Sequence, residues 1–128
     1  MAEATRRILL AEDDRFLRKA AETALKRRGF TVIPAVDGEE ALRLARAEAP
    51  DLILLDMIMP KMQGFEVLRS LKGDPATAGI PVLILSNLGQ DSDVQQALEA
   101  GAAGYFVKAN LSLQDLVKRV GEMVGGGG

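Results

Sequence analysis

Leu52-Ile53-Leu54-Leu55 is an unbroken apolar run, and a carboxylate, Asp56, follows it at once. A strand with one face in water alternates apolar and polar residues, whereas a run without a polar break has to be covered on both faces. Such a strand belongs inside a parallel sheet, and parallel neighbours need long crossovers, usually helices. The remainder of the chain supplies both parts. Four further short runs read as strands: residues 7–10, 30–33, 82–85 and 104–107.

The segments between them have helical spacing. Over 15–28, Leu17, Ala20, Ala21, Ala24 and Leu25 share a face and Gly29 marks the stop. Asp37 is placed to cap a helix running to about Ala47, with Ala41, Leu42 and Ala45 inward and Pro50 beyond its end. Gly64 introduces a helix over 65–72, closed by Gly73-Asp74-Pro75. A helix over 91–100 turns Val94, Ala97 and Leu98 inward and stops at Gly101. Ser112 and Asp115 resemble a capping box, and Leu113, Leu116, Val117, Val120 and Val124 form the apolar stripe of a last helix. Alternating strands and helices predict an α/β fold, an open parallel sheet with right-handed crossovers and helices on both faces. A closed eightfold barrel needs about 250 residues, and this chain has 128. One domain over 1–124 is expected, with Gly125 to Gly128 as a flexible tail.

Composition narrows the chemistry. There is no Cys, which removes thiol catalysis and cysteine metal sites, and no His, which removes the commonest general base and metal ligand. The 16 basic and 18 acidic residues leave a net charge of −2, unsuited to non-specific nucleic-acid binding. No apolar run approaches the ~20 residues of a membrane span, and residues 1–7 lack the apolar stretch of a signal peptide. An intracellular, cytoplasmic location with no membrane contact is therefore expected.

Open parallel sheets bind ligands beyond the carboxyl ends of their strands. Here those ends carry Glu12, Asp13 and Asp14 after the first strand, Asp56 after the third, Ser86 after the fourth and Lys108 after the fifth. Taken singly, each has an ordinary explanation: Asp14 as a helix cap, Glu12 and Asp13 as a solvated loop, Ser86 as a turn residue, Lys108 as a surface charge. Taken together they are a site. Clustered carboxylates repel unless a cation intervenes, and Mg²⁺ suits an all-oxygen ligand set. A metal-bound carboxylate beside an ammonium and a hydroxyl is suited to a phosphoryl group.

The sequence resembles the receiver domains of two-component response regulators, stand-alone chemotaxis receivers among them, over about residues 6–124. Glu12-Asp13 is similar to the family's acidic pair, and Asp56, within Leu54-Leu55-Asp56-Met57-Ile58-Met59-Pro60, to its phosphoacceptor. Pro60, Gly64, Ser86, Tyr105 and Lys108 fall at matching places, with separations of 43 (Asp13 to Asp56), 30 (Asp56 to Ser86) and 22 (Ser86 to Lys108). The resemblance implies the strand order 2-1-3-4-5 and a flavodoxin-like, doubly wound three-layer sandwich. It implies a signalling domain, not an enzyme in the ordinary sense, that assists its own phosphorylation and dephosphorylation. Asp56 would accept a phosphoryl group from a sensor histidine kinase or phosphotransfer protein. Asp13, Asp56 and the main-chain carbonyl of Ile58 would hold Mg²⁺, with Glu12 acting through water. Lys108 and Ser86 would bind phosphoryl oxygens. Tyr105 would swing inward, changing the face formed by the segments over 91–100, 104–107 and 113–124 for a downstream protein target.

Two positions depart from the family's pattern: Asn87 stands where Ala is common, and Ala109 where Pro follows the Lys. Asn87 is expected to tune water access and slow dephosphorylation. The Lys108–Ala109 peptide is expected to be trans, because cis costs about 2.5–4 kcal/mol without proline. The resemblance implies that family members which dimerise to bind DNA pair basic and acidic residues across this face; the segment over 91–100 has no Lys or Arg, so a monomer that does not bind nucleic acid is expected. The competing readings are an aspartyl-phosphate hydrolase, a flavin binder and a receiver-shaped adaptor that is never phosphorylated. The first lacks a second carboxylate at Ile58, the second meets acidic residues where phosphate would sit, and the third leaves Asp56, Ser86 and Lys108 without a purpose.

Overall fold

The computed structural model describes residues 6–57, 62–86, 91–108 and 112–124, with the backbone alone for 91–93. Five strands and five helices alternate: β1 (Arg7–Ala11), α1 (Arg15–Arg27), β2 (Thr31–Ala35), α2 (Gly38–Glu48), β3 (Leu52–Asp56), α3 (Gly64–Gly73), β4 (Val82–Ser86), α4 (Asp91–Glu99), β5 (Gly104–Val107) and α5 (Leu113–Val124). All pairings are parallel and the order is β2-β1-β3-β4-β5. The chain therefore has the flavodoxin-like three-layer architecture implied by its resemblance.

Every residue of β3 and β4 is buried, as a strand covered on both faces must be. Alternate side chains feed two separate cores. Leu9, Ile53, Leu55, Val82 and Ile84 pack with α2, α3 and Ala97 of α4. Ile8, Leu10, Leu52, Leu54, Leu83 and Leu85 pack with α1 and α5. Truncating one of these fully buried leucines to alanine costs about 2–5 kcal/mol, so the sheet is a rigid base for whatever its edge carries.

The caps explain where the elements end. The Asp14 side chain accepts from the Phe16 and Leu17 N–H groups, Asp37 from Glu40 N–H, and Ser112 Oγ from Asp115 N–H, so all three sequence-predicted caps form. At the end of α1, Gly29 N–H donates to Lys26 O and Phe30 N–H to Leu25 O, with Gly29 at φ +99°, a Schellman stop. That motif corrects the predicted start of the second strand. Phe30 is buried beside Leu25, but its N–H belongs to the helix stop, and β2 runs from Thr31 to Ala35.

β2 contains Pro34, tolerable because β2 is an edge strand. Thr31 N–H donates to Arg6 O and Ala35 O accepts from Glu12 N–H, so residues 31, 33 and 35 turn their peptide groups toward β1. Pro34 falls on the alternate, outward register.

Two residues expected inside lie outside. Ala20 is exposed, because α1 buries the stripe through Ala21 and Leu25, and Ala20 sits on its flank. Leu98 is 47% exposed. α4 covers the edge strand β5, and the seam there buries Ala97 while leaving no sheet surface under its neighbour.

Candidate functional site

β3 ends in Asp56 and β4 in Ser86, while Glu12-Asp13 directly follow β1 and Lys108 directly follows β5. The parallel register sets Asp56 opposite Leu85 and Ser86 opposite Val107, which brings these residues to one edge of the sheet. Glu12, Asp56 and Ser86 are buried and Asp13 is exposed. Glu12 is not part of a solvated loop: it is only 1% exposed.

Glu12 is held from several sides. Its N–H donates to Ala35 O at 3.1 Å, and its Oε2 accepts from Asp14 N–H at 3.0 Å. Its Oε1 lies 2.7 Å from Lys108 Nζ, which also reaches Asp56 Oδ2 at 3.2 Å. Lys108 thus joins two buried carboxylates at the ends of different strands, Glu12 just after β1 and Asp56 closing β3. Burial alone would depress its pKa, but the hydrogen bond to Glu12 and the charges of Asp56 and Glu12 outweigh that, holding the pKa above the ordinary 10.5. The ammonium stays charged at neutral pH.

Carboxylate oxygens of Glu12, Asp13 and Asp56 lie within 4.8 Å of one another. Three oxygen donors this close, from a loop and a strand end, fit a hard divalent cation such as Mg²⁺, which takes few protein carboxylates and keeps several waters. Asp14, in contrast, is committed to α1 as its cap. Tyr105 lies on β5 opposite Ile84, half-buried against the core on the α4 side rather than at the acidic edge. Ile58, Pro60, Asn87, Ala109 and the Lys108–Ala109 peptide lie outside the described residues.

Sequence reasoning passed over Arg18. Its Nη1 donates to Glu12 O at 2.8 Å and to Asp13 O at 3.3 Å. The available signal was position: side chains in the first turns of a helix point back toward its N-terminus, and Arg18 stands one turn inside α1. A groove of about 710 Å³ between α1 and α5, lined by Ala24, Arg27, Arg28, Leu113, Gln114, Val117 and Lys118, holds no carboxylate and is separate from this chemistry.

A doubly wound parallel sheet whose carboxyl edge gathers an acidic trio under a lysine defines an α/β sandwich built to handle a charged ligand at its strand ends. The family model for the response regulator receiver domain matches residues 8–121, and the chain belongs to that family, the signalling domains of two-component systems. It is 41% identical over 114 residues to the gliding motility regulatory protein of Myxococcus xanthus, covering 89% of this chain and 15% of that protein. It is 40% identical over 114 residues to the DNA-binding dual master transcriptional regulator RpaA of Synechocystis, covering 89% of this chain and 47% of that one. The chain thus spans less than half the length of either relative. Among solved structures, the Francisella response regulator 1452 receiver domain superposes with a TM-score of 0.89 at 29% identity, covering 94% of this chain and 98% of that one. Chemotaxis response regulator CheY4 of Vibrio cholerae gives 0.87 at 28% identity, with 94% and 99% covered. No helix among the described residues is long and apolar enough to cross a membrane.

Proposed function

We propose that this domain is a phosphoacceptor, phosphorylated on Asp56 in a Mg²⁺-dependent reaction. The observation that carries this reading is the Lys108 ammonium held between Glu12 and Asp56, with the Asp13 carboxylate alongside. The chain contains no His, so a phosphohistidine donor would come from a histidine kinase or phosphotransfer protein.

An oxygen of Asp56 forms a bond to phosphorus as the donor's N–P bond breaks, and the electron pair leaves with the imidazole nitrogen. Such transfer needs positioning and charge stabilisation more than covalent assistance. Asp13 and Asp56 would hold Mg²⁺, with the Ile58 carbonyl as a further ligand and Glu12 acting through water, and the bound ion would supply charge neutralisation at the phosphoryl oxygens. Lys108, already 3.2 Å from Asp56 Oδ2, offers its ammonium to one of those oxygens, and the Ser86 hydroxyl donates to another. Tyr105 then reads the change on the face of α4, β5 and α5, a local charge event biasing a two-state element. Asn87 tunes the access of water to the aspartyl phosphate.

The test is intact mass after incubation with Mg²⁺ and acetyl phosphate. Wild type gains one phosphoryl group; Asp56→Asn gains none, and wild type without Mg²⁺ gains none. Equal labelling of wild type and Asp56→Asn would overturn the assignment, and no labelling under any condition would favour the adaptor reading.

A further inference from the structure

We propose that Arg18 is a positioning residue for Asp13, holding the acidic loop in its divalent-cation-binding shape. This inference rests on the phosphoacceptor reading, in which Asp13 and Asp56 take the ion and Glu12 acts through water.

The three carboxylates are not equally fixed. Asp56 ends a fully buried strand, and Glu12 is held at its N–H and at both carboxylate oxygens. Asp13 is exposed, and among the described residues no hydrogen bond or ion pair to its side chain is formed. Its position is determined by its backbone. The carbonyls of Glu12 and Asp13 belong to the two peptide planes flanking the Asp13 Cα, and Arg18 Nη1 donates to both, at 2.8 and 3.3 Å. Fixing the two planes fixes φ and ψ of the residue between them, and so the direction of the Asp13 Cα–Cβ bond that carries the carboxylate. The anchor is itself firm: Arg18 N–H donates to Asp14 O at 2.9 Å within the capped first turn of α1.

Charge and position act in opposite directions here, which makes the inference testable. A guanidinium near a cation site repels the cation, so its removal would tighten Mg²⁺ binding if Coulomb forces were its whole effect. Positioning predicts the reverse, since partners that orient metal ligands typically contribute tenfold or more to affinity.

Mg²⁺ titration by calorimetry on wild type, Arg18→Met and Arg18→Lys decides between them. We expect Arg18→Met to bind Mg²⁺ about tenfold more weakly and Arg18→Lys, which keeps a many-proton donor on a long stem, to fall between. Unchanged or tighter binding by Arg18→Met, or a lysine variant no better than the methionine one, would overturn the inference. Nitrogen-15 spectra of the wild-type arginine side chains give a readout that needs no variant. Hindered rotation should resolve the Arg18 Nη protons, and fully averaged signals would overturn the clamp. A wild type that binds no Mg²⁺ would overturn the phosphoacceptor reading, and this inference with it. Wild-type binding with an unaffected Arg18→Met overturns the inference alone.

Discussion

Lys108 Nζ lies nearer Glu12 than Asp56, 2.7 Å from the Oε1 of the first and 3.2 Å from the Oδ2 of the second. The lysine is therefore a structural element of the free domain, in addition to its proposed role toward an incoming phosphoryl group. Removing one partner of a buried ion pair leaves an uncompensated charge and costs about 3–5 kcal/mol. Lys108→Met in divalent-free buffer should lose about 3 kcal/mol by denaturant titration, the low end because the lysine side chain is 16% exposed. Mg²⁺ should recover part of that loss, so the variant gains more from added Mg²⁺ than wild type does. The converse substitution, Asp56→Asn, keeps the Lys108–Glu12 pair and removes one carboxylate from a repulsive group. Its melting temperature without Mg²⁺ should exceed that of wild type.

Asp14→Ala separates capping from metal binding. The Asp14 carboxylate accepts two N–H groups of α1, and losing such a cap costs about 1 kcal/mol. The Asp14 N–H that supports Glu12 survives the change. We expect lowered stability in urea with Mg²⁺ binding retained; loss of Mg²⁺ binding would make Asp14 a ligand after all.

Gly64 tolerates no side chain. A Cβ there would lie 2.6 Å from Met57 Cα and 2.7 Å from Asp56 O, both backbone atoms that cannot move aside cheaply. Gly64→Ala should cost about 1–3 kcal/mol and slow acetyl phosphate labelling, because the displaced carbonyl is that of Asp56, the proposed acceptor. Unchanged labelling in a folded variant would separate the α3 start from the site.

Asp74 provides a pH-dependent prediction away from the acidic edge. Its carboxylate accepts from Ala76 N–H at 2.9 Å and from Arg46 Nε at 3.0 Å, and these hold its pKa below the ordinary 3.8. A folded-state pKa below the unfolded one adds stability above the unfolded value, and that stability disappears as pH falls through the folded value. Asp74→Asn should therefore melt below wild type at pH 7. The gap should close below about pH 3.8, and a gap independent of pH would assign it to shape alone.

The strands were legible because an unbroken run such as Leu52 to Leu55 has few alternative environments, and the caps because Asp14, Asp37 and Ser112 each stand where orphan N–H groups need an acceptor. Strand order was not legible from periodicity; the family resemblance supplied it. Alanine explains the miss at Ala20, since a methyl group fits either environment and carries little directional signal. At Leu98 the pattern was helical but the helix lies on an edge strand, and the width of the surface beneath a helix is a tertiary quantity. Glu12 and Lys108 could be placed at the sheet edge from sequence, but not their contact, which joins residues 96 positions apart. Arg18 was missed because its partners are main-chain carbonyls, which no side-chain pattern reveals.

Pro34 bears on how this molecule behaves among its own copies. An open strand edge is a template on which another chain can add by pairing N–H with C=O. On β2 the outward-facing positions are 32 and 34, and proline has no N–H to give, so the five-residue edge presents a single donor, that of Val32. A second chain laid along it finds no continuous ladder. Proline on the edge thus works against sheet extension there without a charged residue in the outward register.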